Sequence, residues 1–307
     1  MRIVFTGTVD FSRHCLEEVL RMGGDIVGIL TLEKENAQFN SDYADLGPVA
    51  DKYGVPIYRI KNINDHGTIA HIKNLDPDVI FVFGFSQLIK KEILDIPPLG
   101  CIGAHPALLP KNRGRHPLIW ALIEDLKDSG LTFFYLDEGA DSGDILWQKT
   151  FRITDEDDAG TLYDRIKILA TEGIREFLPR LQSGSAPRIP QDHSLATYWR
   201  KRGEEDGEIV WTGTTRQVFN LVRALTRPYV GAHTFKGENR ILIWRSRIIP
   251  RPERIPEYRT AGAGEILSEP SPAFFVRTGD GVLEVMEWET GRKVILGKGT
   301  VLKGAKQ

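Results

Sequence analysis

Cysteine is scarce in this chain: Cys15 and Cys101 are the two in 307 residues. Two cysteines cannot staple a chain of this length. They fall in a helix-like and a strand-like stretch, with no Cys/His cluster at metal-ligand spacing. They read as small buried hydrophobes, and neither a structural disulfide nor a zinc site is expected. An excess of one charge is also lacking, since 40 basic residues face 42 acidic ones for a net charge of −2. That balance leaves no electrostatic footprint for nucleic acid and argues against it as a partner. No apolar run approaches the ~20 residues of a membrane span. The opening MRIVFTGT enters a strand directly, without the layout of a secretory leader, so a cytoplasmic protein with no membrane partner is expected. Internal repeats and low-complexity tracts are missing too. What remains is 41% apolar and 27% charged, ordinary for a globular chain with room for two domains.

In the first half, short β-rich runs alternate with helical patterns. Residues 2–5, 25–31, 56–58, 78–83 and 101–104 read as strands, and 11–22, 46–53, 64–74 and 116–127 as helices. In the first helix Phe11, Leu16, Val19 and Leu20 share a face, and Gly23-Gly24 stops it. Continuous apolar strands such as VIFVF suit a sheet covered on both faces. The pattern therefore predicts a Rossmann-like, mostly parallel α/β sheet. Residues 131–136 and 145–153 are close enough in sequence to pair antiparallel. A long amphipathic helix is predicted over 160–178, with acids 155–158 at its positive end and Pro179 as its stop. After Gln182 the texture changes. SGSAPRIPQDHS is a linker by composition, which divides the chain into a domain over 1–185, a linker over 186–204 and a second domain over 205–307. The second domain has one helical stretch, 215–225, and short strands at 240–249, 264–267, 273–277 and 282–288. It predicts a small OB-like β-barrel.

The stretch from Cys101 to Gln148 carries the chemistry. It places His105 just past a strand and Asp141 in a glycine-bounded turn. A lone histidine at a strand end is usually structural, Asp-Ser-Gly suits a plain turn, and Leu108-Leu109-Pro110 suits simple loop packing. The functional reading rests on convergence. The carboxyl ends of parallel strands form the mouth where α/β sheets hold ligands, and both His105 and Asp141 are expected to reach it. A histidine beside a carboxylate handles protons near neutral pH.

Three segments in order, FTGTVDFS at 5–12, HPALLPKNRG at 105–114 and DEGADSGDIL at 137–146, resemble the folate-dependent formyltransferases. These include enzymes acting on methionyl-tRNA, glycinamide ribonucleotide and amino sugars. The resemblance covers residues 1–185, and the second half is similar to the OB-like domain of the tRNA and sugar branches. It implies 10-formyltetrahydrofolate as formyl donor, an amine as acceptor and a homodimer as a possible assembly. It implies His105 as proton acceptor or oxyanion partner and Asp141 as the group that orients it. It also implies a folate pocket from Phe85, Ser86, Gln87 and Leu88, the Leu108-Leu109-Pro110 step, and Glu138, Gly139, Ala140 and Asp144. The family pattern is Asn-x-His, and Gly103 stands here at the position of that asparagine. Glycine has no side-chain donor, so the oxyanion contact has to come from elsewhere. Loss of one such donor costs on the order of 100-fold in rate when nothing replaces it.

The acceptor reading rests on three features. Arg113 and Arg115 flank Gly114 in Lys111-Asn112-Arg113-Gly114-Arg115, which resembles the sugar-nucleotide branch; two arginines at a pocket rim suit a diphosphate. The segment LEKENAQFNSDYADLG lacks a basic insertion, and its Asn40, Ser41, Asp42 and Tyr43 suit a sugar pocket. Thr8 and Asp10 are counted with these as substrate-binding. The second half carries no continuous basic stripe. Tyr198, Trp199, Trp211 and Tyr229 either stack on a base or seal a domain interface, the latter favoured for Trp211, and Arg223 is read as structural. The expected acceptor is a nucleotide-linked amino sugar of bacterial surface-glycan synthesis. Methionyl-tRNA, water, and folate binding without turnover stand as alternatives.

Overall fold

A computed structural model of the chain describes residues 1–36, 41–291 and 294–304, and forms two compact units. The first comprises Met1–Pro117, Asp128–Arg152 and Tyr163–Arg200; the second comprises Leu118–Lys127, Ile153–Leu162 and Lys201–Gln307.

The first unit begins with β1 (Arg2–Thr6), α1 (Asp10–Arg21), β2 (Asp25–Leu32), α2 (Gly47–Tyr53) and β3 (Ile57–Ile60). It continues through α3 (His66–Leu75), β4 (Val79–Val82), α4 (Lys91–Leu94), β5 (Cys101–His105) and the short β6 (Arg113–Gly114). Past α5 (Pro117–Ile123), nearly all of which is counted in the second unit, come β7 (Asp128–Tyr135), β8 (Ile145–Arg152), α6 (Ala159–Gln182), which enters the first unit at Tyr163, and β9 (Tyr198–Trp199). Seven strands form one sheet in the order β3-β2-β1-β4-β5-β7-β8. The first five run parallel, and β7 and β8 are added antiparallel, so the sheet is the expected Rossmann-like, mostly parallel one. Period-two alternation sends neighbouring residues to opposite faces. Val4, Ile80 and Val82 join a core with Ile69 and Ile72 of α3. Phe81 and Phe83 point the other way, their rings stacked 5.1 Å apart, and Phe177 of α6 meets Phe81 edge-on. Both cysteines are free and buried, and burial pushes the Cys101 thiol up to about 12, which keeps it an unreactive apolar filler.

Two predicted helix ends move. Pro179 does not stop α6, which runs to Gln182. A proline one turn from a helix end forfeits a single backbone bond, while Leu181 gains burial by continuing. The helix expected over 116–127 ends at Ile123, because Asp125 takes a left-handed conformation with φ +50°.

In the second unit, α7 (Thr215–Leu225) accompanies a four-stranded antiparallel sheet of β10 (Ala232–Lys236), β11 (Asn239–Ile248), β12 (Phe274–Arg277) and β13 (Val282–Thr290), in the order β10-β11-β13-β12. Register shifts around Arg245 bend β11, and bridges Phe235–Lys303 and Ile266–Val276 extend the sheet into the expected curled, barrel-like form. Trp211 is buried within this unit, its Nε1–H donating to Thr234 Oγ1 at 2.9 Å; the expected interface seal is therefore a core residue. Arg223 is structural as expected. It is buried and donates to Asn220 Oδ1, to the Thr154 carbonyl and to Asp125 at 3.0 Å.

Candidate active site

The site lies at the carboxyl ends of β4 and β5, where strand polarity collects loops and their side chains. A cavity of about 340 Å³ opens there. Its walls come from the strand ends (Val82, Gly103–His105), from residues 84–89, from Phe134 and Leu136 after β7, from residues 137 and 139–141, and from Gly114 and Arg115.

His105 ends β5 and is 5% exposed. Its Nε2 lies 2.7 Å from the carbonyl oxygen of Asn112. A carbonyl only accepts, so Nε2 carries a proton and the neutral ring leaves its lone pair on Nδ1. Nδ1 faces Asp141 Oδ2 at 3.6 Å. That separation is longer than a hydrogen bond, but close enough for the carboxylate to stabilise a proton gained by the ring. Asp141 has φ +53°. Its Oδ2 accepts from the Gly114 N–H at 2.8 Å, and its carbonyl accepts from Gln191 Nε2 at 3.0 Å. The ring is therefore oriented by Asn112, and Asp141 supplies the facing charge. At Gly114, φ is +104° and an added Cβ would fall 2.3 Å from the Trp199 carbonyl, so only glycine fits.

Gly103 lines the cavity, and the structure explains its small size. A Cβ there would lie 2.6 Å from Leu136 Cδ2 and 3.2 Å from the Phe134 ring. Leu136 and Phe134 occupy the space that an asparagine side chain would need.

Of the other sequence-predicted residues, Phe85, Ser86, Gln87, Leu88, Gly139, Ala140, Gly114 and Arg115 line the cavity. The Gln87 side chain accepts from the Ile63 N–H and donates to the Lys61 carbonyl, both at 2.8 Å. Leu108, Leu109, Pro110, Glu138 and Asp144 are outside the lining. Leu109 is buried, with its N–H on Thr132 Oγ1 and its carbonyl on Gln148 Nε2, so this step packs against β7 and β8. Glu138 is exposed, and Lys91 lies 3.5 Å from it. The Asp144 carbonyl accepts from the Tyr135 N–H.

The expected pair of rim arginines is split. Arg115 is exposed at the cavity, with Nη1 on the Ser86 carbonyl at 3.3 Å. Arg113 turns inward and is 1% exposed. It donates to Gln191 Oε1 at 2.7 Å, to the Tyr198 hydroxyl at 2.9 Å and to His193 Nδ1 at 3.1 Å. Its planar fork serves three acceptors at once, the buried Gln191 and the exposed Tyr198 and His193, which takes it out of the rim. Lys111 is exposed and outside the lining.

Thr8, Asp10, Asp42 and Tyr43, expected to bind substrate near β1, are outside the cavity lining. Thr8 is fully buried, and its carbonyl accepts from the Ala44 N–H. Tyr43 bridges to Val9 through its backbone. Burial alone would raise the Asp10 carboxyl, but hydrogen bonds from Arg13 and Lys167 outweigh it and hold the group below its usual range. Asp42 accepts from the Tyr163 hydroxyl at 2.5 Å, and that hydroxyl accepts from the Phe11 N–H. Asn40 lies outside the described residues.

Sequence reasoning missed Asn112, Thr132, Gln148, Gln191 and Thr197. Thr132 left one signal, a polar residue in the apolar run LTFFYL; it is fully buried and donates to the Ala107 carbonyl at 2.6 Å. Asn112 lies inside the segment 105–114 but carried no signal of its own, and Gln148, Gln191 and Thr197 act across longer sequence separations and left none.

The formyl transferase family model matches residues 1–178, and its C-terminal domain model matches residues 202–306. A methionyl-tRNA formyltransferase of Pelotomaculum thermopropionicum is 33% identical over 307 residues, covering 99% of this chain and 96% of that protein. Among solved structures, HypX from Aquifex aeolicus superposes with TM-score 0.68 at 18% identity; the match covers 95% of this chain and 46% of that one. An N-formyltransferase from Helicobacter canadensis, solved with folinic acid and dTDP-3-aminofucose, gives TM-score 0.65 at 16% identity over 94% of this chain and 99% of that one. Matched along both halves, this chain belongs to the formyl transferase family.

Proposed function

We propose that this enzyme transfers a formyl group from 10-formyltetrahydrofolate to the amino group of a nucleotide-linked sugar. The carrying observation is the His105–Asp141 pair at the wall of the cavity, with His105 Nδ1 held open as a proton acceptor. The cavity suits the folate head. Phe134, Leu136 and Val82 offer apolar walls for a flat ring, and the main chain of residues 84–89 and 139–141 offers hydrogen-bonding edges. The donor supplies an activated formyl carbon. His105 Nδ1 takes the proton that the attacking amine sheds, and Asp141 stabilises the resulting imidazolium. The same proton is then available to the departing nitrogen of the donor. Gly103 offers no side chain to the developing oxyanion, so that contact falls to other groups at the cavity wall.

For the acceptor, Arg115 is the cation at the rim, suited to a phosphate of a sugar nucleotide. The described part of the segment after β2 carries carboxylates at Asp42 and Asp45, the wrong sign for a phosphodiester backbone. A second reading, methionyl-tRNA as acceptor, is favoured by relatives of that name at 31–33% identity across 99% of the chain. We further propose a catalytic domain over residues 1–185 and a cytoplasmic location. No described helix is long and apolar enough to cross a membrane.

The test is mass-spectrometric formyl transfer from 10-formyltetrahydrofolate to a panel of UDP-, GDP- and dTDP-linked amino sugars, with methionyl-tRNA alongside. One added formyl group on a sugar nucleotide is the expected result. Transfer to tRNA alone overturns the sugar reading. Folate binding without transfer to any amine overturns the catalytic one.

A further inference from the structure

The segment between α6 and β9 has the composition of a linker, yet it touches every group that fixes the His105–Asp141 pair. Ile189 exchanges two backbone hydrogen bonds with Ile145, at 2.8 and 3.0 Å. Tyr198–Trp199 pairs in parallel with Arg113–Gly114, and the Trp199 carbonyl accepts from the Arg115 N–H at 3.2 Å. Between these anchors the segment reaches both partners of the pair. On the histidine side, Thr197 holds Asn112. Its Oγ1 accepts from the Asn112 N–H at 2.8 Å and donates to Asn112 Oδ1 at 3.1 Å, while its carbonyl accepts from the Arg113 N–H at 2.9 Å. Asn112 is the residue whose carbonyl orients His105. On the aspartate side, Gln191 Nε2 donates to the carbonyls of Asp141 at 3.0 Å and Gly143 at 2.6 Å. Gln191 Oε1 accepts from Arg113 Nη2, which links the two sides through buried side chains.

Backbone strain supplies a separate observation. Asn112 and Asp141 sit at φ +62° and +53°, in the left-handed region. Such residues cost of order 1 kcal/mol each, and persist where their surroundings over-determine them. Both are the residues the 189–199 segment holds.

We infer that residues 189–199 form a strap whose Gln191 and Thr197 are positioning residues for formyl transfer: Thr197 fixes the Asn112 carbonyl that sets the His105 tautomer, and Gln191 fixes the turn that aims Asp141 at Nδ1. This rests on the reading of His105 and Asp141 as the reacting pair. Neither strap residue touches the cavity, so each acts through another group.

The experiment uses the full chain with Gln191→Met, Gln191→Glu and Thr197→Val, alongside wild type and His105→Ala. Three quantities are read: melting temperature, kcat and KM with 10-formyltetrahydrofolate and the acceptor identified in the panel, and the 15N-histidine NMR spectrum of His105. Gln191→Met removes the amide, while Gln191→Glu keeps an acceptor for Arg113 but loses both donors to the turn. We expect both to lower kcat about tenfold, roughly 1.4 kcal/mol, with KM for the donor within about twofold. Displacement of the facing carboxylate is expected to change the 15N shifts of the His105 ring, because Nδ1 then has a different neighbour. Thr197→Val is expected to mix the Nε2–H tautomer with the other one. A lower melting temperature with His105 15N shifts, tautomer and kcat all unchanged overturns the inference and makes the strap purely structural. Rescue of kcat by Gln191→Glu but not by Gln191→Met also overturns it, because the link would then run through Arg113 alone. His105→Ala with normal transfer sinks the reading of the pair, while the NMR spectra still decide whether the strap sets the ring.

Discussion

The mouth of the parallel sheet differs on the two sides of β4. Toward β1 it is closed by the unit's own polar groups. Asp42 meets the Tyr163 hydroxyl, Asp10 meets Arg13 and Lys167, and Ser12 Oγ donates to the Phe83 carbonyl at 2.6 Å. Toward β5 the loops part around a cavity, and His105, Asp141 and Arg115 face it with unused capacity. Both sides carry a recognisable sequence segment, 5–12 on one and 105–114 on the other. Polar residues whose bonds are completed locally build the scaffold, and those left facing a cavity remain available for chemistry. The same contrast separates Arg113 from Arg115, two positions apart in sequence but buried and exposed respectively.

Five single substitutions, one of them also combined with a compensating change, probe that contrast in falling order of effect. His105→Ala, on the open side, is expected to lower kcat by about 10²–10⁴-fold, with folate binding by titration calorimetry nearly unchanged; normal turnover would remove the pair from the mechanism. Gly103→Asn is expected to destabilise by about 1–3 kcal/mol, because its Cβ meets Leu136 and Phe134. Adding Leu136→Ala to Gly103→Asn should recover part of that loss in chemical denaturation, and no recovery would mean that Leu136 is not the obstacle.

The two arginines give the sharpest pairing. Arg113→Ala should cost about 1–3 kcal/mol by emptying a buried site and leaving the buried Gln191 Oε1 without its donor. Arg115→Ala should leave stability within about 0.5 kcal/mol while raising the acceptor KM about tenfold. Interchanged results would reverse their assignment. The smallest effect belongs to the closed side. Asp10→Asn should cost a few tenths of a kcal/mol at neutral pH, discounted for its partial exposure, and leave kcat unchanged. Because the Asp10 carboxyl is held below its ordinary value of 3.8, its contribution is present above that value and lost as pH falls through the lower, folded one. Wild type and variant should therefore converge in acid, and a gap that widened there would contradict the Arg13–Lys167 pairing.

Much of the fold was legible because its signals are local. The run VIFVF announces a doubly covered strand, and Gly23-Gly24 follows a helix with one apolar stripe. Pro179 misled because a proline's cost depends on how much helix remains beyond it, which burial of Leu181 decides. In the site, His105, Asp141 and the vacant asparagine position at Gly103 were readable within one segment. The roles of Arg113 and the tripeptide Leu108-Leu109-Pro110 were not, since side-chain direction at a loop is set by what packs behind it. Gln191 and Thr197 left no trace, because polar residues in a Pro/Ser-rich stretch have the composition of any solvated linker.

The sequence by itself determined most of the strand and helix order, the family and the chemical types at the candidate site. All of these follow from local periodicity and from motif residues that lie near one another along the chain. Only the tertiary structure decided which ring nitrogen of His105 stays open, which arginine faces the cavity and what holds Asp141 in place. The last two depend on hydrogen bonds between residues far apart in sequence, and the first on how the loop after β5 folds back onto the ring; all are settled by packing and burial after the chain has closed on itself.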